Sequence, residues 1–137
     1  MNNAVLLTSN AVPITACFAG LIILLITLAA INTTRVRIAT AGKWGESEAR
    51  ERIRRASRAH GNTLEHGLPV ILLMLLYELL GGNAVLLCSI GSAFLGIRLL
   101  YIAGMLTKPG GGAMQVAAGL TYLVELGLIA VLLLHVF

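Results

Sequence analysis

The chain of 137 residues contains no aspartate, and its six acids are all glutamate. Charged residues make up 12% and aromatic residues 5%. A soluble domain carries about 25% charged residues. The shortage excludes a soluble enzyme, a disordered tail and an ordinary nucleic-acid module. Cysteine is scarce: Cys17 and Cys88 lie in separate apolar runs, with no C-x-x-C pair and no zinc-like His/Cys spacing. No metal site is expected, and both thiols read as small core residues. Abundant instead are apolar side chains, at 58%, with a mean hydropathy of +0.90. A chain this short buries only about two thirds of its surface. That much apolar surface therefore requires lipid as solvent.

Four apolar runs stand out: Val12 to Ile31, Leu64 to Leu80, Ala84 to Leu106 and Met114 to Phe137. A helical span needs about 20 residues, and a helix satisfies its own backbone in lipid. The expected fold is all-α: one integral membrane domain over 1–137, an antiparallel bundle of four helices spanning about 12–32, 52–80, 84–106 and 113–136. Met1-Asn2-Asn3 lacks the positive start of a cleavable signal. Ser9 or Asn10 is expected to cap the first helix, with Pro13 in its first turn. Gly81-Gly82-Asn83 and the stretch Thr107 to Gly112 read as tight breaks between antiparallel neighbours.

Charge gathers between residues 33 and 63, with eight basic residues, Arg35, Arg37, Lys43, Arg50, Arg52, Arg54, Arg55 and Arg58, against three glutamates. The positive-inside rule makes this loop cytoplasmic and sends both termini outward. Attraction to anionic lipid follows. Trp44 is the only aromatic nearby, so nucleic-acid binding is disfavoured and Trp44 reads as an interfacial anchor.

The sequence from Arg50 to Pro69 is RERIRRASRAHGNTLEHGLP. Glu48 to Arg58 reads as helix and runs on into the second span. At helical spacing Arg55, Arg58, Asn62, Glu65 and Pro69 fall within an arc of about 80°. One stripe thus carries cation, amide and carboxylate where the helix enters the membrane, and Glu78 faces elsewhere, as an interfacial residue. Gly61 leaves room for a ligand or a neighbouring backbone, and Pro69 is expected to bend the helix. Such a stripe suits a zwitterion: arginine pairs with carboxylates, Glu65 accepts from an ammonium, and Asn62 both donates and accepts. It also suits simple cross-linking of a bundle.

The string Arg58-Ala59-His60-x-Asn62-x-x-Glu65-x-x-x-Pro69 resembles the signature of the MAPEG family, the membrane-associated proteins in eicosanoid and glutathione metabolism. Arg98-Leu99-Leu100-Tyr101-Ile102-Ala103-Gly104 is similar to a second family pattern in the third span. The likeness covers all four spans and is greatest to the compact bacterial branch. It implies a homotrimer in a bacterial inner membrane that binds glutathione as co-substrate between subunits and conjugates it to a lipophilic small molecule from the bilayer. By the resemblance, Arg58, Asn62 and Glu65 contact glutathione, His60 replaces a polar contact, Tyr101 lines the site, and Arg35 or Arg37 binds a carboxylate.

The chain departs from the family at two points. Residues Gly110 to Gln115 contain no arginine where eicosanoid-forming members have one to steady the thiolate, and Met105 stands where they have a second tyrosine. Arg98 and Tyr101 remain as catalytic donors. Two other classes stay open: a non-enzymatic lipid-binding or scaffold member of the same fold, and a small four-helix drug exporter, although the first span lacks the carboxylate an exporter uses. Arg98 and Glu125 lie roughly 12 and 18 Å into the membrane at 1.5 Å per residue. A buried charge there needs a partner, so Arg98 is expected either to pair with Glu125 or Glu65 or to serve catalysis. His66 is expected to be packed or bonded to backbone, Tyr77 to belong to an interfacial belt, His135 to be unremarkable, and Gly119 and Gly127 to be close-packing positions.

Overall fold

A computed structural model describes residues 12–43 and 45–137. Met1 to Asn3, Ser9, Asn10 and Trp44, for which the sequence suggested roles, lie outside the described residues. Four helices follow one another: α1 (Pro13–Ala39), α2 (Ser47–Leu79), α3 (Ala84–Thr107) and α4 (Gly112–Val136). Among the described residues there is no strand. Helix α2 packs against the other three, and α3 packs against α1 and α4 as well.

The breaks fall where the chemistry puts them. Gly81 and Gly110 adopt φ of 80° and 77°, left-handed values that favour glycine. Asn83 caps α3, its Oδ1 accepting from Leu86 N at 2.9 Å. At the other ends the helices run further than the apolar runs do. No glycine or proline interrupts Asn32 to Ala39, so α1 continues past its apolar run and carries Arg35 and Arg37 in helix. Cations near a helix C-terminus complement its dipole. Helix α2 begins at Ser47 and continues unbroken through Pro69, which faces out of the bundle.

Helix α1 starts on Pro13 with Val12 as an N-cap that contributes no side-chain bond. The missing cap comes from another helix. The Glu78 carboxylate accepts from Ile14 N at 3.0 Å and Thr15 N at 2.7 Å. A carboxylate there satisfies orphan donors and meets the positive end of the dipole. Glu78 is therefore a cap that ties the C-terminal end of α2 to the start of α1, not an interfacial bystander. Near the inner end, Thr33 Oγ1 donates to the Ala56 carbonyl at 3.0 Å and joins the same two helices.

Small residues set the helix spacing. A Cβ on Gly91 would lie 2.6 Å from the Phe18 ring, and one on Gly67 would lie 3.0 Å from Ile22. These glycines let α3 and α2 approach α1. A Cβ on Gly119 or Gly127 would meet nothing within 4 Å, so neither packs closely within the chain. The main core joins Ile22 and Ile26 with Val70, Met74, Phe94 and Leu128. Tyr77 belongs to it too, at 5% exposure. Its hydroxyl accepts from Asn83 N at 3.1 Å, and its ring meets His135 edge-on. It anchors the α2–α3 turn rather than sitting in an outer belt. His135 itself bonds the Leu80 carbonyl at 3.1 Å.

The exterior is apolar, with Leu24, Leu28, Leu72, Leu123, Leu126 and Leu134 all exposed. Cys17 and Cys88 also face outward as free thiols. The expectation of core cysteines fails because, in lipid, an apolar neighbourhood exists outside the bundle as well as inside it. Helices α1, α3 and α4 are long and apolar enough to cross a membrane. Helix α2 is more polar, because Asn62, Glu65, His66 and Glu78 lie in its apolar half.

Candidate functional site

The N-terminal half of α2 carries an open groove of about 320 Å³, lined by Arg54, Ser57, Arg58, Gly61, Asn62 and Glu65. All six come from one helix, at the spacing that places them on one face. Glycine at position 61 keeps the floor open: a Cβ there would meet nothing within 4 Å. Arg58 and Glu65 are exposed, and Asn62 is half-buried.

The charges divide into paired and unpaired. Glu51 accepts two bonds from Arg54, at 2.7 and 2.8 Å, and one from Arg55 at 2.9 Å. Arg54 first, then Arg55, holds the Glu51 carboxyl down at about 2. Arg58 and Glu65 form no salt bridge among the described residues. Among those residues, the groove therefore offers one free cation and one free carboxylate about two turns apart. Ser57 Oγ is buried and has no hydrogen-bond partner among them. Sequence reasoning missed Arg54 and Ser57 as residues of the site. Arg54 lies one turn before Arg58, a signal that was present; burial of the Ser57 hydroxyl was not visible.

Arg98 lies behind the groove with 0% exposure. Nη1 donates to Asn62 Oδ1 at 2.9 Å, Nη2 donates to Thr121 Oγ1, and Nε has no partner among the described residues. The guanidinium stands 4.7 Å from the Tyr101 ring centroid and 5.7 Å from that of Phe94. Aromatic faces attract a cation at such range. Neither expected salt bridge of Arg98 forms. Glu125 is engaged elsewhere, with its Oε1 2.7 Å from His66 Nδ1, while Glu65 faces outward. His66 also meets the Tyr122 ring edge-on, so it bonds a carboxylate rather than backbone. Thr121, one turn before Glu125 on α4, is what Arg98 reaches.

The remaining residues singled out from the sequence are not gathered into the groove of a single chain. His60 is half-buried and points about 160° around α2 from Arg58. Arg35 and Arg37 are exposed at the inner end of α1. Tyr101 is 5% exposed and packs with Ala59, Met105 and Ala117. Between α1, α2 and α3 lies an apolar cleft of about 180 Å³, lined by Leu25, Leu28 and Ile102 among others and floored by Ala59. Among the described residues no cluster of His, Cys or Glu has the makings of a metal site.

Four packed helices with a lipid-like exterior define an integral membrane protein, and one of them carries a charged groove in its N-terminal half. The chain belongs to the MAPEG family, whose sequence pattern matches residues 15–135. That membership places it among the membrane proteins of eicosanoid and glutathione metabolism. No curated protein and no solved structure matches the chain.

Proposed function

We propose that this protein binds glutathione in the α2 groove and conjugates it to apolar electrophiles drawn from the bilayer. The observation that carries the reading is the groove itself, in which Arg58, Asn62 and Glu65 stand together with both charges unpaired among the described residues. Glutathione has two carboxylates, one ammonium and two peptide groups. Arg58 suits a carboxylate, Glu65 the ammonium, and Asn62 an intervening polar group. Ser57 adds a buried hydroxyl.

Assembly as a homotrimer completes the proposed site. His60, Arg35 and Arg37 lie outside the groove of their own chain, where they are available to a neighbour. Tyr101 and Arg98 lie behind it and serve the thiol and the ligand's partners. The apolar cleft beside Ala59 gives a lipophilic co-substrate a place near the level of Arg58. The basic inner ends of α1 and α2 face the cytoplasm in this reading, in a bacterial inner membrane, with both termini outward.

One observation favours binding without conjugation. No arginine occurs between Gly110 and Gln115, and Met105 is buried where a tyrosine would help the thiolate. Glutathione transfer to an aryl halide by the purified protein separates the two readings. Conjugation abolished by Arg58→Ala supports the enzyme. Binding with no conjugation supports a non-enzymatic member.

A further inference from the structure

Hydrogen bonds around Asn62 run in one direction only. Thr121 Oγ1 donates its single proton to the Ala117 carbonyl at 2.8 Å, so it meets Arg98 Nη2 as an acceptor. Arg98 has five donors and no acceptor. Whatever faces its Nη1 must therefore accept, and on Asn62 only Oδ1 does so, at 2.9 Å. The partners of this amide thus fix its orientation. Its two N–H groups are left over, and Asn62 lines the groove.

We infer that Asn62 meets its ligand through its amide N–H groups, and that Arg98 is the positioning residue that turns them toward the groove. The inference rests on the groove being the glutathione site, and it specifies that site further. With its oxygen given to Arg98, Asn62 presents its N–H groups to the ligand rather than its acceptor. It recognises an oxygen, either carboxylate or peptide carbonyl. The groove is divided accordingly: Arg58 and Asn62 donate on the cytoplasmic side, and Glu65 alone among these three accepts, one turn deeper. An α-amino-acid head group, with carboxylate and ammonium on one carbon, matches that order.

Arg98 is well built for such a role. It is fully buried, and aromatic rings at Phe94 and Tyr101 flank its guanidinium. Its contacts span three helices, with Asn62 on α2, its own position on α3 and Thr121 on α4. A charge so placed cannot exchange its partner for water, so the amide has no competing orientation.

The test is Asn62→Asp beside Asn62→Ala, in mild detergent, reading thermal midpoint without ligand and glutathione affinity by calorimetry. Aspartate keeps an oxygen for Arg98 and turns the groove-facing group from donor to acceptor. The unliganded midpoint of Asn62→Asp is expected to equal or exceed the native one. Its glutathione affinity is expected to fall at least tenfold below native and below that of Asn62→Ala. In an Arg98→Gln background the midpoint advantage of aspartate over alanine disappears, because the cation it pairs with is gone. Asn62→Asp binding glutathione like the native protein, or more tightly than Asn62→Ala, overturns recognition through the amide N–H groups. An unliganded midpoint of Asn62→Asp that falls with that of Asn62→Ala overturns the tie to Arg98. A native protein that binds no glutathione overturns the functional reading, and the unliganded midpoints then still decide whether Arg98 holds Asn62.

Discussion

Arg58 and Glu65 are exposed on the chain and carry no salt bridge among the described residues, which separates their contribution to binding from any contribution to folding. Glutathione bound to the folded state alone stabilises it by about 2.7 kcal/mol at a hundredfold excess over Kd. Arg58→Ala and Glu65→Gln are each expected to abolish the rise in thermal midpoint and to leave the unliganded midpoint near native. Thermal denaturation in detergent with and without glutathione checks both. The thiol is a separate matter. With an ordinary pKa near 8.5, only a few per cent of a thiol is ionised at pH 7, and lowering that pKa by one raises the ionised share about tenfold. Without an arginine between Gly110 and Gln115, conjugation is expected to be slow at neutral pH and to climb toward about pH 9. A pH–rate profile with ultraviolet thiolate absorbance tests this. A full thiolate signal and a flat profile at about pH 6.5, well below the ordinary thiol range, contradict it.

The helices owe their positions to a few side chains that reach between them. Glu78→Ala removes both carboxylate bonds to the start of α1, and loss of a cap costs about 1–2 kcal/mol. The expected result is a lower midpoint with unchanged glutathione affinity, since Glu78 lies at the opposite end of α2 from the groove. Gly91→Ala places a methyl against the Phe18 ring and is expected to destabilise by about 1–3 kcal/mol through overpacking. Near the N-terminus of α2, Arg54 and Arg55 bond the Glu51 carboxylate and hold its pKa down at about 2. Its folded pKa lies below its ordinary value of 4.5. Its contribution is therefore present above that ordinary value and is lost as pH falls toward about 2. The group is exposed, so the effect on stability is small. Carboxyl-selective NMR with Glu51→Gln as the assignment control reads the titration.

Periodicity along one helix explains what was legible in the sequence. Spacing near 100° per residue put Arg58, Asn62 and Glu65 on one face, and the glycine-rich breaks marked where helices stop. Neither signal says which helix covers which face. The cap that Glu78 gives α1, the pairing of His66 with Glu125 and the reach of Arg98 to Thr121 each join residues far apart in the chain. Hydropathy misled at Tyr77 and at the two cysteines for a different reason. Lipid is as apolar as a core, so an apolar setting does not distinguish inside from outside.

For the whole molecule, Arg58 and Glu65 are exposed on a membrane helix and form no salt bridge among the described residues. His60, Arg35 and Arg37 lie away from the groove, and in the proposed trimer they would serve an adjacent copy. Native mass measurement in mild detergent is expected to give three chains. A clean monomer or dimer removes the proposed completion of the site between subunits, although the α2 groove itself remains.

Glutathione binding in the α2 groove is decided by calorimetric titration of the purified protein. Saturable binding is expected in the native protein and none in Arg58→Ala or Glu65→Gln variants that remain folded. Absence of binding to the native protein, or binding unchanged in both folded variants, contradicts the assignment of the groove.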